Sequence, residues 1–155
     1  MNEPAAVAMS NEIHPITVTA SRELLRGASL RCTTCRVAVL QHLSGAGGPQ
    51  SHADVADVLV PEGFDKSTIY RCLVEMAEAG LVLRHDLGDH VWRFEFRRGD
   101  NHEHCEHAHF MCTVCGKVEC LSDVEVVISP TSQSRSNLNS QVTEILLKGH
   151  CATCQ

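Results

Sequence analysis

The sequence has few aromatic residues and no long apolar run. Aromatic side chains make up 4% of the 155 residues, so its core must be built from aliphatic side chains, and a hydrophobic fraction of 43% is sufficient for one. No stretch reaches the roughly 20 apolar residues of a membrane span. Residues 1–15 have neither the basic start nor the apolar run of a signal peptide. We therefore expect a cytoplasmic protein without a membrane partner.

Basic charge is also scarce overall. The formal net charge is −6, which weighs mildly against a nucleic-acid partner, although local patches matter more than the total. Residues 20–36 form such a patch, because they contain one acid, Glu23, against four arginines, namely Arg22, Arg26, Arg31 and Arg36. Charge alone leaves a solvated helix face and a DNA-binding surface equally open.

Cysteine, in contrast, is abundant. Four of the nine cysteines form two Cys-x-x-Cys knuckles, Cys112 with Cys115 and Cys151 with Cys154. Two such knuckles supply the four thiolates of a closed tetrahedral site, which predicts a structural Zn²⁺. The odd number of cysteines favours reduced thiols over a disulfide framework. Two disulfides or idle thiols are the alternatives.

Histidines are concentrated just before the first knuckle. Residues 102–109 contain four of them, together with Cys105. If residues 105–111 form a strand, Cys105, His107 and His109 share one of its faces. A face with these ligand types predicts a second metal site, distinct from the cysteine knuckles. A solvated polar run is the alternative.

The first half of the chain contains signals for helices followed by a hairpin. Helices are predicted over 19–28, 30–41, 51–60 and 65–79, with Thr33 or Thr34, Ser51 and Asp65 as N-caps. Leu81–His85 and Val91–Phe96 are predicted hairpin strands. Three successive helices followed by a hairpin, as in residues 30–96, are the order of a winged helix-turn-helix, in which the last helix, 67–79, enters the major groove. Its Thr68, Tyr70 and Arg71 can contact phosphate or guanine.

The fold class is therefore predicted to be α+β. Residues 1–18 are a predicted tail, 19–96 a winged-helix DNA-binding domain, 97–104 a hinge and 105–155 a zinc-binding domain. In the last of these, strands are predicted over Val118–Leu121, Val124–Ile128 and Val142–Lys148. The lone Cys32-x-x-Cys35 motif is interpreted as structural, because no histidine or further cysteine lies near it in the sequence.

The ordered motifs together resemble the ferric uptake regulator family. The matching segments are LRCTTCRVAVL, STIYR, EAGLVLRHDLGD with RFEF, HAHFMCTVCGKV and the terminal CATC. The resemblance covers about residues 20–155. It implies a homodimeric, metal-dependent transcriptional repressor that binds palindromic double-stranded DNA, with an N-terminal winged helix and a C-terminal α/β dimerisation domain.

The resemblance also implies roles for individual residues. It assigns DNA contact to Arg36, Tyr70 and Arg71, structural zinc to the four knuckle cysteines, and metal sensing to Glu95, His107 and His109. The chain departs from the family pattern at Pro49, which replaces a histidine, and at Cys120, which replaces an acid. Cys120, His102 and Cys105 are additional candidate ligands of the sensing site, and His85 is a further, weaker candidate.

The identity of the sensed metal follows from these ligands. A thiolate within reach favours Zn²⁺ over Fe²⁺, because sulfur is the softer donor. The zinc-sensing branch of the family is therefore our expectation, with peroxide sensing as a lesser alternative. The alternative function is a zinc-ribbon adaptor or metal carrier without DNA binding.

An enzyme is the least expected function. The sequence offers no evident Ser-His-Asp set, phosphate-binding glycine loop or open three-ligand zinc site. His104-Cys105-Glu106 followed by Cys112-x-x-Cys115 resembles the pattern of zinc deaminases. The short gap between these elements, residues 107–111, leaves no room for an intervening helix and strand, so we exclude that class.

Overall fold

A computed structural model describes residues 14–98, 108–121, 124–127 and 144–155 of the chain. Most of the predicted tail, most of the predicted hinge and the start of the last predicted strand lie outside these ranges. The described residues form four helices and two small sheets, with the helices gathered in the first half. In the part of the chain that is described, no helix has the length and apolar character needed to cross a membrane.

The four helices are α1 (Val18–Gly27), α2 (Thr34–Gly45), α3 (His52–Leu59) and α4 (Lys66–Glu78). Each starts after a side chain that accepts a backbone N–H of the first turn, as N-caps do; these caps are Thr17, Thr33, Ser51 and Asp65. Thr33, one of the two predicted caps, is the N-cap of α2, and this helix runs through Gly45, past its predicted end at residue 41. Gly80, with a φ of 74°, follows the C-cap residue of α4.

The first sheet has the order β1-β3-β2 and contains the wing. Strands β2 (Val82–Asp86) and β3 (Trp92–Phe96) form the predicted antiparallel hairpin. The two-residue strand β1 (Gln50–Ser51), which the sequence analysis did not predict, pairs with the other edge of β3. This strand places the start of α3 against the hairpin.

The second sheet has the order β5-β4-β6. Strand β4 (Ala108–Cys112) pairs antiparallel with β5 (Val118–Leu121) and parallel with β6 (Leu146–Gly149). The strand predicted over 124–128 is wrong for its described part, since residues 124–127 have no strand structure. Val124 N instead donates to Leu121 O at 3.3 Å, so the chain turns away at the end of β5.

The helices and the wing share one aliphatic core. Its fully buried members include Leu25, Leu40, Val55, Ile69, Leu73, Met76, Val82 and Phe94. A smaller cluster lies between the wing and the second sheet, where Leu87 of the wing tip packs against Met111 and Val118. Burial of these apolar side chains is the main stabilising contribution to both units.

The two halves meet along a contact that we call the seam. It consists of the Gly47–Gly48 loop and the wing on one side, and of β4, β5 and the Cys115–Gly116 turn on the other. Cys120 N donates to Gly47 O at 3.2 Å. A Cβ atom on Gly48 would lie 2.9 Å from Val118 O, so backbone packs directly on backbone there. The seam positions the candidate sites described next.

Candidate metal centres and nucleic-acid interface

Strand pairing brings the two cysteine knuckles together. Cys112 ends β4, and the turn after it closes when Gly116 N donates to Cys112 O at 2.9 Å, with Gly116 at a φ of 72°. Strand β6 runs parallel to β4 with Gly149 opposite Cys112, so the chain delivers Cys151 beside that thiol. Cys151 N then donates to Cys112 Sγ at 3.4 Å. The two knuckles are too far apart in the sequence for a single hairpin to join them, and the pairing of β4 with β6 brings them together instead.

The four sulfur atoms of Cys112, Cys115, Cys151 and Cys154 all lie within 4.8 Å of one another, and we call this group the cysteine clasp. Cys115 Sγ, for example, lies 3.9 Å from Cys151 Sγ. All described cysteines of the chain are free thiols, so no disulfide joins the two knuckles. Four converging sulfur donors are the ligand set of a closed structural zinc site.

Local hydrogen bonds distribute charge unevenly over the clasp. The N–H groups of Cys115 and Cys151 lower the pKa of Cys112 to about 6. The neighbouring thiols raise the pKa of Cys154, Cys151 first, to about 12. Cys112 therefore ionises readily, whereas Cys154 keeps its proton, because its hydrogen bonds to the neighbouring thiols favour the protonated form. A divalent cation at the centre would favour the thiolate form of all four cysteines.

A second group of ligand atoms lies at the seam. Glu95 of β3, His109 of β4 and Cys120 of β5 each offer one ligand atom, and these atoms lie within 4.8 Å of one another. His109 stands opposite Cys120 in the β4–β5 ladder and is only 1% exposed, whereas Glu95 comes from the wing. We call these three residues the mixed cluster, since they combine oxygen, nitrogen and sulfur donors from both halves of the molecule.

The mixed cluster is strongly polarised. Burial raises the pKa of Glu95, but hydrogen bonds from His109 and His85 outweigh this effect and bring it to about 2. Hydrogen bonds to Cys120, then to Glu95, raise the pKa of His109 to about 9. His85 Nε2 lies 3.0 Å and His109 Nε2 3.7 Å from Glu95 Oε2. Without an ion, a protonated imidazole therefore faces a carboxylate here.

Helix α4 is the candidate DNA-reading helix, and two of its three predicted DNA contacts are exposed to solvent. Tyr70 is 44% exposed and Arg71 is exposed. The Thr68 hydroxyl is half-buried and donates to the capping carboxylate of Asp65 at 3.3 Å. The Nε2 atom of His52 in α3 donates to Lys66 O at 2.9 Å, and the His52 ring lies edge-on to Tyr70, so both contacts hold the first turn of α4 against α3.

Arg36 is placed differently from the other predicted DNA contacts. Its side chain is 15% exposed, pairs with Glu75 of α4 and donates to Arg31 O at 2.7 Å. These contacts join α2 to α4. They favour a role in positioning the helix pair, so direct DNA contact by Arg36 stays a prediction.

Comparison with known proteins identifies the family. A profile of the ferric uptake regulator family matches residues 27–148. The chain belongs to the ferric uptake regulator family. The ferric uptake regulation protein of Legionella pneumophila is 31% identical over 136 residues, covering 84% of this chain and 96% of that protein. The transcriptional regulator FurA of Mycobacterium tuberculosis is 29% identical over 141 residues, with 85% and 88% covered.

Solved structures of ferric uptake regulators have the same fold. The regulator of Pseudomonas aeruginosa with manganese matches with a TM-score of 0.55 at 25% identity, covering 85% of this chain and 98% of that one. The Vibrio cholerae regulator matches with a TM-score of 0.60 at 22% identity, with 84% and 98% covered. The prediction of an α+β fold with an N-terminal winged helix and a C-terminal dimerisation domain is confirmed.

Membership of the ferric uptake regulator family also fixes the broad function. Family members are transcriptional regulators rather than enzymes, and the chain is a metal-responsive transcriptional regulator. Of its predicted ligands, the structure brings together the four clasp cysteines as one group, and Glu95, His109 and Cys120 as another. His102, Cys105 and His107 lie outside the described residues.

Two residues at the seam make contacts with the candidate metal sites that their sequence context did not indicate. His85, which was only a marginal candidate, donates from its Nε2 atom to the carboxylate of Glu95. Arg93 was not a candidate at all, yet its side chain is buried beside the cysteine clasp. The alternation of side chains along β2 and β3 indicates that both residues face away from the helices, but it does not indicate which residues they contact.

Proposed function

We propose that the chain is a repressor that binds palindromic operators as a homodimer, with a structural Zn²⁺ in the cysteine clasp and Zn²⁺, rather than Fe²⁺, as the sensed ion of the mixed cluster. In this proposal residues 19–96 bind DNA, 97–104 act as a hinge and 105–155 form the zinc-binding dimerisation domain. The family of the chain supports regulation by metal, and the ligand chemistry supports the choice of zinc.

One observation carries the choice of metal, namely the thiol of Cys120 beside His109 and Glu95. Sulfur together with imidazole suits zinc, whereas all-oxygen sites suit manganese and magnesium. A known structure with a similar fold is described as a zinc-bound manganese uptake regulator, and another as a regulator with manganese. The donor atoms of each chain, rather than the fold, must therefore set the preference.

The residues of the mixed cluster have separate tasks in this mechanism. Glu95 belongs to the wing, whereas His109 and Cys120 belong to the second sheet, so an ion held by all three joins the two halves. His85 orients the carboxylate of Glu95 through their 3.0 Å contact, as outer partners of metal ligands do. His107, His102 and Cys105 stay predicted contributors to the same site.

Joining the halves determines how the two DNA-reading helices of a dimer are spaced. Half-sites in successive major grooves lie about 34 Å apart, which only one orientation of the winged helices can match. Tyr70 and Arg71 then reach the duplex from the exposed face of α4, with Thr68 at its start. The ion favours DNA binding because it stabilises that orientation over others.

The experiment measures metal content and DNA binding on the same samples. We expect wild-type protein to retain one zinc per chain after dialysis, to take up a second zinc, and to bind an AT-rich palindromic duplex only when the second is present. Cys120→Asp, which restores the family's acid, is expected to shift the metal that supports DNA binding from zinc towards iron or manganese. Cys32→Ser is the matched control, because Cys32 belongs to neither site.

Two results would contradict the proposal. Equal DNA binding by wild type with Zn²⁺ and with Fe²⁺, unchanged by Cys120→Asp, would remove the case for zinc sensing. A protein that binds two zinc ions but shows no metal-dependent binding to any palindromic duplex would instead favour the adaptor or metal carrier.

A further inference from the structure

The wing hairpin has two faces that meet different parts of the molecule. On one face, Val82 and Phe94 are buried in the core of the helices, and beyond them Arg84 stacks on Trp92, with the Arg84 Cζ atom 3.5 Å from the ring centroid. Because side chains alternate along a strand, the residues between these point to the opposite face. Arg93 is one of them, and this second face meets the seam.

Arg93 is a buried cation with partners on both sides of the seam. It is 4% exposed, and its guanidinium donates to both carboxylate oxygens of Asp89, at 2.9 and 2.8 Å. Its Nη2 atom also donates to the carbonyl oxygen of Gly116 at 3.0 Å. Asp89 lies in the wing tip, and its carboxylate also accepts the Val91 N–H at 3.2 Å. The planar fork of arginine allows these bonds at once, whereas lysine could not make them all.

The carbonyl that Arg93 contacts is part of the first cysteine knuckle. Gly116 follows Cys115 directly, and the N–H of Gly116 closes the knuckle turn on Cys112 O. The position of the Gly116 peptide is therefore set by the same turn that places two thiols of the clasp. The residue next to the sulfur ligand Cys115 therefore accepts a hydrogen bond from the wing.

Apolar packing supports the same connection. Leu87, two residues before Asp89, is 4% exposed and packs against Met111 and Val118 of the second sheet. The wing tip is thus held by an apolar contact to strands β4 and β5 and, through Arg93, by a hydrogen bond to the turn that joins them. Among the described residues, Asp89 is the acid paired with Arg93.

We propose that Arg93 is a positioning residue that couples the cysteine clasp to the wing, so that the clasp is a second input to the DNA-binding half, separate from the mixed cluster. This inference rests on the proposed Zn²⁺ in the clasp. A metal-filled clasp holds Gly116 in place for Arg93, and Arg93 in turn holds the wing tip. Coupling between two sites is reciprocal, so a released wing must also loosen the metal.

The test compares two arginines of the same hairpin in the full-length, zinc-loaded protein. Arg93→Lys keeps the charge but breaks the bridge to Gly116, and Arg84→Lys makes the same change on the opposite face. Zinc content is measured first, then zinc release to a chromogenic chelator, then hydrogen exchange of residues 82–96. The fluorescence of Trp92, the single tryptophan of the chain, follows the wing during zinc release.

We expect Arg93→Lys to release zinc roughly tenfold faster than wild type, since a hydrogen bond to a charged group is worth at least that factor. Its wing amides should exchange faster while zinc is still bound, and Arg84→Lys should match wild type in both measurements. Asp89→Asn should also speed zinc release and amide exchange of the wing, but less strongly. This variant replaces Arg93→Lys in the comparison if Arg93→Lys does not fold.

Each outcome decides between coupling and a purely structural role. If Arg93→Lys lowers the melting temperature but releases zinc at the wild-type rate, Arg93 only stabilises the fold and the inference is wrong. If wild-type protein retains no zinc after dialysis, the proposed zinc clasp itself fails. Faster zinc release in Arg93→Lys together with an unchanged Arg84→Lys supports the coupling.

Discussion

The cysteine clasp and the mixed cluster differ in where their ligands come from. The clasp draws four sulfur atoms from two short turns at the ends of neighbouring strands in one sheet. The mixed cluster draws three different donor atoms from two sheets, one in each half of the molecule. A site assembled within one sheet can stabilise that sheet, whereas a site shared between halves can also report whether the halves are docked.

Removal of one clasp sulfur should give the largest effect. Cys151→Ser leaves three thiols, and we expect loss of the proposed structural zinc together with as much as about 10 kcal/mol of zinc-linked folding free energy. Zinc content and thermal unfolding measure the two consequences. If Cys151→Ser keeps both its zinc and its stability, the contrast between the two sites is wrong.

A smaller effect is expected from His85, which contacts the mixed cluster without being one of its three members. His85→Ala removes the orienting partner of Glu95, and the affinity for the second ion should fall about 10–100-fold. The clasp should keep its zinc, so a competition titration with a chelating dye detects loss of one ion only. Equal weakening of both ions would show that the sites are not independent.

Changes in pH should act on the mixed cluster in two opposite ways. Without an ion, the raised pKa of His109 stabilises the protein fully below its ordinary value of 6.5, and this contribution is lost as the pH rises towards about 9. The lowered pKa of Glu95 contributes above 4.5 and is lost as the pH falls towards about 2. The stabilisation of the ion-free protein by Glu95 and His109 together should therefore be greatest between pH 4.5 and 6.5.

Ion binding follows the reverse trend, because the ion must displace the proton on His109. Each unit of pH below about 9 should weaken binding of the second ion roughly tenfold for that proton. Unfolding curves and metal titrations over the same pH series compare the two trends. Stability and metal affinity that rise together with pH would contradict this account of His109.

The smallest effect is expected on the outer face of the wing. Arg84→Ala removes a cation–π contact with Trp92, and the free energy of unfolding should fall by no more than about 1 kcal/mol. Metal binding at both sites should be unchanged, because Arg84 faces away from the seam. A loss of either ion in this variant would mean that the two faces of the wing are not separate.

The same contrast explains what could be predicted from the sequence. The knuckles of the clasp are local motifs, so spacing alone named all four cysteines, and N-caps such as Ser51 and Asp65 marked helix starts through contacts within one turn. The mixed cluster depends on how two sheets dock. Glu95 was named through the family resemblance, and His109 also through strand alternation, whereas the part played by His85 was not evident from its neighbours in the sequence.

Three features of the structure depend on tertiary context that the local sequence does not show. Residues 124–127 have the composition of a strand, but no neighbouring strand in the described chain pairs with them. Strand β1 is too short for any periodicity to reveal it and exists only because β3 offers an edge. The pairing of Arg36 with Glu75 of α4 could not be foreseen, because the two residues lie far apart in the sequence.

The glycine at position 48 sets a limit to how closely the halves can approach. Its backbone already touches that of β5, where even one methyl group would collide with Val118 O. An ion in the mixed cluster can therefore hold the halves at this separation but cannot draw them nearer. If the mixed cluster holds an ion, a span limited in this way favours ions whose radius suits it, so ionic size adds to donor chemistry in the choice of metal.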